Sequence, residues 1–171
     1  LILRDMDILK QMAAMNLVHV SISITSLSDE TRRVVEPRTA SIKKRLATVK
    51  KLSDNNIPIN VMMAPIIPAI NNHEIIPLVK KVSELGARSV GYTIVRLNGA
   101  VGEIFTNWLM KAYPDRGSKI INQIKDCHNG SLNDSHYGIR MKGEGKIAEQ
   151  VSMQFKLARK LYLKGIGLIP L

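Results

Sequence analysis

Apolar residues in the first hundred positions cluster in short runs separated by longer amphipathic stretches. Three runs predict β-strands, at 18–25, 59–66 and 88–97. In the stretches that follow the first two, apolar residues recur every three or four positions, which predicts helices at 41–54 and 74–86, the second ending at Gly86. Strands alternating with helices of this length predict right-handed βαβ units and a parallel sheet, an α/β fold.

The pattern is helical at both ends of the chain. Residues 1–16 predict a helix with Ile8, Met12 and Met15 on one face. After residue 98 the predicted elements are a helical pair broken at Pro114, with Phe105 and Trp108 as expected core anchors, and a last helix at 146–163. The sequence therefore predicts three strands followed by a helical region.

The first predicted strand has two unlike faces. Val18, Val20, Ile22 and Ile24 alternate with His19, Ser21, Ser23 and Thr25. A parallel strand covered by helices on both faces is typically apolar throughout, so this alternation indicates that one face meets a polar environment. Two interpretations remain open: the polar face lines the interior of a βα barrel near its ligand, or it is solvated.

Polar residues follow the second strand in a stiff segment, "APIIPAINN". Pro65 and Pro68 fix φ and keep the segment extended, and Asn71 or Asn72 is expected to cap the next helix. In βα barrels the functional groups collect at the carboxyl ends of the strands. We therefore interpret this segment as part of a functional rim, although turn chemistry alone would explain the same residues.

Composition limits the class of protein. The chain has 171 residues, is 45% hydrophobic and contains a single cysteine, Cys127. No apolar run approaches the ~20 residues that span a bilayer, so no membrane association is expected. One cysteine excludes an intramolecular disulfide and favours a reducing, cytoplasmic compartment.

The formal net charge is +11. Such a charge attracts polyanions, and DNA is a candidate partner through the basic surface. Much of the charge lies on predicted helix faces, as in "IKKRLATVKKL", where a solvated surface is the alternative explanation.

Two smaller features of the sequence bear on ligand and metal binding. Gly143 and Gly145 precede the last helix and would form a phosphate-binding turn with Arg140 and Lys142, or an ordinary turn. The histidines show no ligand spacing for zinc, and Cys127 is interpreted as structural, so no metal site is predicted.

Four segments in order resemble radical S-adenosylmethionine (SAM) proteins of the spore photoproduct lyase and DNA repair photolyase type. They are "SISITSLSDETRRVVEPR", "RLATVKKLSDNNIPINVMMAPIIPAINNHE", "GARSVGYTIVRL" and "DSHYGIRMKGEG". The family pattern in the second segment is closer to Pro-Gly-Leu-Asn-Asp, and here Ala69 replaces the glycine and Asn72 the aspartate. These changes bear on the backbone bend of the rim.

The resemblance implies a partial TIM-type barrel, (βα)6, of which this chain supplies three βα units. Residues 1–98 would be the C-terminal half of that barrel and 99–171 a helical extension packed on it. Family members bind a [4Fe-4S] cluster through CxxxCxxC, and a cluster held by thiolates presents an iron to SAM. This chain has no such motif. We therefore expect a fragment whose parent binds the cluster and SAM, while the chain alone binds neither and is inactive.

The resemblance also implies cofactor-binding residues at the rim. Ser23 matches a position that contacts the methionine or ribose part of SAM, and Arg38 a loop arginine that pairs with its carboxylate. Ile66 and Ile67 would lie near the adenine, Asn71 would close that side, and Arg96 would face cofactor or substrate. The alternatives are that Ser23 satisfies local backbone, Arg38 pairs with Glu36, the isoleucines are core and Arg96 is on the surface. No catalytic residue is assigned.

Two functions remain open. The parent is expected to be a radical SAM enzyme, a DNA repair lyase-like protein that cleaves SAM reductively to a 5′-deoxyadenosyl radical. The alternative is a basic nucleic-acid-binding module without catalysis. A half barrel would expose the edge of its first strand, so we also expect self-association through that edge.

Overall fold

The computed structural model describes residues 1–133 and 140–163. Within them a parallel sheet has the strand order β1-β2-β3, formed by β1 (Val20–Ser23), β2 (Ile59–Ile66) and β3 (Ser89–Ile94). The predicted parallel strands are confirmed, but β1 and β3 are shorter than their apolar patterns. For β1 the reason is the pairing, which runs only from Val20 opposite Ile59 to Ser23 opposite Met62.

Along the chain, helices come before β1, between the strands and after β3. The α-helices of the described residues are α1 (Met6–Ala14), α2 (Asp29–Val35), α3 (Ile42–Ser53), α4 (Ile75–Glu84), α5 (Ala100–Ala112), α6 (Gly117–Asp126) and α7 (Gly145–Tyr162). Short 3-10 helices occupy Ile2–Asp5 and Asn72–Glu74. Across the part of the chain that is described, every helix is too short or too polar to cross a bilayer. The resembling segment at 134–145 is described only from Arg140 onward.

Helix α2 was not among the elements that the apolar pattern predicted. The Ser28 hydroxyl accepts a hydrogen bond from the Thr31 amide (3.1 Å), which caps the helix. Acidic residues occupy its first turn and Arg32 and Arg33 its last, as the helix dipole favours. The element is only seven residues long, too short for a clear apolar period.

The main core lies between one face of the sheet and helices α4 and α7. Ile59, Val61 and Met63 of β2 are fully buried, as is Phe155 of α7. Phe155 stacks on Tyr92 of β3, with ring centroids 4.2 Å apart. Helix α7 also packs closely against α4, so the last helix completes the core of the sheet.

The N-terminal helix presents a different face from the one predicted. Ile8 and Met15 are 61% and 60% exposed. The residues that pack on the core are Ile2, Leu3, Met6, Leu9 and Ala13. The opening 3-10 turn brings Ile2 and Leu3 to the core, and this selects the second apolar stripe of α1 over the first.

Phe105 and Trp108 are only half-buried, which corrects their expected role as core anchors. The large side chains of the helical pair that are fully buried are those of Leu109, Ile120 and Ile124. Phe105 and Trp108 instead cover this second cluster and line an open apolar groove of about 350 Å³ beside α2. Their large rings pack on the core with one side and face the groove with the other.

Glycines end or precede helices where a side chain would not fit. Gly86 has φ +89°, as predicted for the stop after α4, and a Cβ there would lie 1.9 Å from Ser53 Oγ. Gly143 has φ +70°, and its Cβ would lie 2.8 Å from the Cys127 carbonyl oxygen. Close packing in a turn therefore accounts for Gly143.

Candidate functional site

The carboxyl ends of the three strands lie at the same end of the sheet, because the strands are parallel and adjacent. β1 ends at Ser23, β2 at Ile66 and β3 at Ile94. Neighbouring strands lie about 4.8 Å apart, so the axes of β1 and β3 are separated by about 10 Å across the sheet. We refer to this end of the sheet, with the segments 24–41, 67–74 and 95–98 that follow the strands, as the rim.

The sheet face opposite the main core carries a row of polar side chains. The Asn60 amide donates to Ser21 Oγ (2.9 Å), and Ser89 Oγ donates to Asn60 Oδ1 (2.8 Å). The strand register aligns these residues across the sheet. On the polar face of β1, Ser21 therefore meets a polar neighbour on β2, and His19, Ser21 and Ser23 are exposed in this chain.

Asn71 joins the two loops of the rim through a buried amide. Its Oδ1 accepts from the Ile67 amide (2.7 Å), and its Nδ2 donates to the carbonyls of Thr25 (2.9 Å) and Pro65 (3.0 Å). The residue is 3% exposed. The predicted capping role is wrong, since neither Asn71 nor Asn72 caps the following helix through its side chain. Asn72 instead accepts from the Ala69 amide (2.8 Å).

Glu74 makes a second connection between the same loops. Its carboxylate accepts from Ser26 Oγ (2.7 Å) and from the Leu27 amide, and the residue is 7% exposed. The turn after β1 is thereby fixed to the start of α4. Glu74 was not among the predicted site residues, although a carboxylate at a helix start directly after the stiff segment was a usable signal.

Glu36 and Arg45 hold the loop after α2 against the end of β1. Glu36 accepts from Thr25 Oγ1 (2.8 Å) and Arg45 Nη2 (2.5 Å), and Arg45 Nη1 donates to the Ser23 carbonyl (2.8 Å). Burial alone would raise the pKa of Glu36, but the hydrogen bonds from Arg45 and Thr25 outweigh it and hold that pKa below its usual range. Glu36 is therefore ionised and paired near neutral pH.

Among the predicted site residues, Ser23 and Arg38 have polar side chains that remain free at the rim. Both residues are exposed, and among the described residues their side chains have no hydrogen-bond or ion-pair partner. Arg38 does not pair with Glu36, since Arg45 takes that carboxylate. These two side chains are available to a ligand.

The other predicted site residues lie in less accessible positions. Ile66 and Ile67 are 0% and 2% exposed and belong to the two core clusters. Arg96 is half-buried, and its Nε and Nη2 donate to Asn133 Oδ1 at 3.3 and 3.2 Å. The structure thus brings Thr25, Asn71 and Glu74 together, and places Arg96 beyond β3 with a partner of its own.

Cys127 is the only cysteine available to hold metal in this chain. It is fully buried, and burial together with the charge of Asp126 raises the pKa of its thiol to about 11. Iron–sulfur clusters take several thiolates. In residues 1–133 and 140–163 no three His, Cys, Asp or Glu side chains gather as a metal site. The donor set of this chain does not fit a [4Fe-4S] cluster.

Comparison with protein families relates part of this α/β chain to one superfamily. Residues 2–82, which contain β1, β2 and most of α4, match the model of the Radical SAM superfamily. The match indicates that the chain is a radical SAM family member. Proteins of this superfamily in general use SAM and a [4Fe-4S] cluster. No solved structure gave a significant match.

Two curated relatives are longer than this chain. An uncharacterized protein of Mycobacterium tuberculosis is 26% identical over 121 residues, which cover 70% of this chain and 36% of that protein. An uncharacterized protein of Methanocaldococcus jannaschii is 28% identical over 123 residues, which cover 72% of this chain and 44% of that protein. The aligned part of the chain therefore spans less than half the length of either relative.

Proposed function

We propose that this chain is one part of a radical SAM enzyme and contributes three βα units of a partial barrel. The match of residues 2–82 to the superfamily model carries the proposal. The parallel sheet and the polar rim at its carboxyl end support it. The greater length of the relatives is consistent with further βα units elsewhere in the parent.

In such an enzyme the cofactors supply radical chemistry, and the protein supplies orientation and exclusion of water. The one buried cysteine of this chain does not suit a cluster, so we assign the cluster ligands to another part of the parent. The isolated chain is then inactive, and its contribution is to bind and orient SAM at the rim.

We assign direct SAM contacts to Ser23 and Arg38. Both side chains are exposed, and a guanidinium without a partner suits the SAM carboxylate, which it can bind through two parallel hydrogen bonds. Asn71 would position the rim, because its amide is already saturated by protein groups. Ile66 and Ile67 would support the adenine side from the core, and Arg96 would face cofactor or substrate.

The test uses the full-length parent after anaerobic cluster reconstitution, with 5′-deoxyadenosine as the product measured. Arg38→Ala should raise the KM for SAM about tenfold or more, because a charge-assisted contact is lost. Arg33→Ala is the matched control, since Arg33 is an exposed arginine of α2. Absence of 5′-deoxyadenosine from the reconstituted wild type would refute the enzyme class. An equal change in both variants would refute only the role of Arg38.

For the substrate we propose damaged DNA, with a DNA repair lyase-like reaction. The net charge of +11 supports a polyanionic substrate. The same charge favours the second candidate, a nucleic-acid-binding module without catalysis. Both predict DNA binding that weakens steeply with salt, but only the enzyme produces 5′-deoxyadenosine. Failure to retain DNA at low ionic strength would argue against both the module and the DNA substrate.

We also propose self-association through β1. Among the described residues β1 pairs with β2 on one side and with no strand on the other. Arg45 caps only the Ser23 carbonyl on this strand. Sedimentation velocity over a range of concentrations should show a dimer, because an unpaired edge favours strand addition. A single monomeric species at all concentrations would contradict this.

A further inference from the structure

A pocket outside the rim opens between β3 and the last helix. It has a volume of about 350 Å³ and lies where α7 runs beside the strand. Its lining includes Tyr92, Lys142, Ser152, Phe155, Lys156 and Arg159. None of these residues belongs to the rim described above, so the pocket needs its own explanation.

The charge of the pocket has one sign. Three of its lining residues are cationic and none is acidic. Lys142 and Lys156 form no ion pair with any described residue. The nearest acid along the chain to Lys142, Glu144, accepts from Asn129 (2.9 Å) and does not line the pocket. The cations therefore face the pocket without compensation from its walls.

Arg159 is held in place by the sheet. Its Nε and Nη2 donate to the Val90 carbonyl at 2.9 and 2.5 Å, and its guanidinium lies 5.7 Å from the centre of the Phe155 ring. Because the side chain is already ordered, little conformational entropy remains to be lost when a ligand binds. Its Nη1 has no hydrogen-bond partner among the described residues and is free to donate.

The Tyr92 and Phe155 rings give the pocket a rigid aromatic wall. The two rings stack at 4.2 Å with an interplanar angle of 10°. Phe155 is fully buried and Tyr92 is half-buried, so an edge of the stack faces the opening. Next to it, Ser152 is half-buried and offers a hydroxyl donor.

We propose that this pocket binds a phosphate group. Two lysines without an ion-pair partner among the described residues, an ordered guanidinium and a hydroxyl supply several donors. Their combined positive charge matches the charge of about −2 and the three terminal oxygens of a phosphate monoester better than a single carboxylate. The group can belong to a mononucleotide or to a nucleic-acid backbone, since both present negatively charged terminal phosphate oxygens to the donors. The proposal is independent of the radical SAM assignment, because it uses no rim residue and no cofactor.

The test is a titration of the uniformly 15N-labelled 171-residue chain followed by amide chemical shifts. The probes are inorganic phosphate, thymidine 5′-monophosphate, thymidine and a short oligothymidylate. We expect saturable shifts at Ser152, Lys156 and neighbouring amides with each phosphate-bearing probe and none with thymidine. Tighter binding of the oligothymidylate than of the monophosphate identifies a backbone as the source, and equal binding identifies a free nucleotide.

Two double variants separate the pocket from diffuse surface charge. Lys142→Ala with Lys156→Ala should weaken binding of the monophosphate about tenfold or more, because charge-assisted hydrogen bonds are lost. Lys43→Ala with Lys80→Ala removes the same charge from exposed positions of α3 and α4 and should change binding less than about twofold. Circular dichroism checks that both variants fold.

Three results would overturn the proposal. They are an absence of saturable shifts in the pocket with the phosphate-bearing probes, equal shifts with thymidine, and equal weakening in the two double variants. The second would indicate binding by the aromatic wall alone. The third would indicate a general electrostatic attraction to a chain of high net charge.

Discussion

Asn71 is the rim residue for which structural and cofactor-binding roles make different predictions. Replacing it with alanine removes three hydrogen bonds at once, to the Ile67 amide and to the carbonyls of Thr25 and Pro65. Asn71 is 3% exposed, so water cannot readily replace these partners. The Asn71→Ala variant should therefore be clearly less stable before any cofactor is considered.

The size of the effect follows from the number of bonds. Each buried hydrogen bond contributes about 1 kcal/mol net, so the three contribute about 3 kcal/mol to the free energy of unfolding. Asn72→Ala is the matched control, since it removes one bond from a half-buried neighbour and should cost about 1 kcal/mol or less. Asn71→Asp keeps the acceptor but sets an oxygen against two carbonyls, and near neutral pH it should destabilise at least as much as alanine.

Urea unfolding measures these differences. Trp108 is the only tryptophan and is half-buried, so its fluorescence reports unfolding, with circular dichroism as a second probe. We expect a lower midpoint for Asn71→Ala at an unchanged dependence on urea concentration. A loss below about 1 kcal/mol would show that the amide does not hold the two loops together. The structural role assigned to it would then be wrong.

Three further predictions concern single side chains. Ala69 has φ +60°, a backbone conformation that costs an L-residue about 1 kcal/mol. Ala69→Gly should therefore raise the urea midpoint slightly, whereas the control Ala47→Gly, within α3, should lower it. An equal decrease in both would contradict a strained Ala69. The pKa of Glu36 is lowered in the folded chain, so the stability it provides is complete above its unfolded pKa of about 4.5 and is lost as pH falls through the lower folded value. Glu36→Gln should therefore lose less stability than the wild type during acid titration, and parallel curves would refute the pairing. Cys127 is fully buried and the pKa of its thiol is raised to about 11, so a disulfide reagent at about pH 8 should modify it only as fast as the chain opens. Rapid modification of the native chain would show that the thiol is accessible.

Local sequence patterns predicted the elements whose apolar residues are numerous and regularly spaced. β2 matches its predicted bounds, because eight residues between a turn and a proline-rich segment form a distinct apolar run. The end of α4 at Gly86 could also be predicted from local sequence, since it depends on the φ of one residue. α2 was missed because seven residues are too few to show a period, and the face of α1 was wrong because two apolar stripes were compatible with the sequence.

The connections within the rim could not be predicted in the same way. Asn71 and Thr25 are 46 residues apart in the chain, and Glu74 and Ser26 are 48 apart. No periodicity relates such positions, and which polar groups pair depends on how the loops after β1 and β2 meet. The sequence indicated that the segment after β2 was polar and stiff, but its side chains proved to hold the rim together where a helix cap had been expected.

This distinction bears on how a ligand would be recognised at the rim. A polar group can bind a ligand only if the protein has not already satisfied it, or if the ligand displaces a partner at a cost in free energy. Asn71, Glu74 and Glu36 are satisfied by protein groups, and their removal should change stability first. Ser23 and Arg38 are unsatisfied among the described residues, so their removal should change ligand affinity with little change in stability. Measuring both quantities for each variant separates the residues that build the rim from those that contact its ligand.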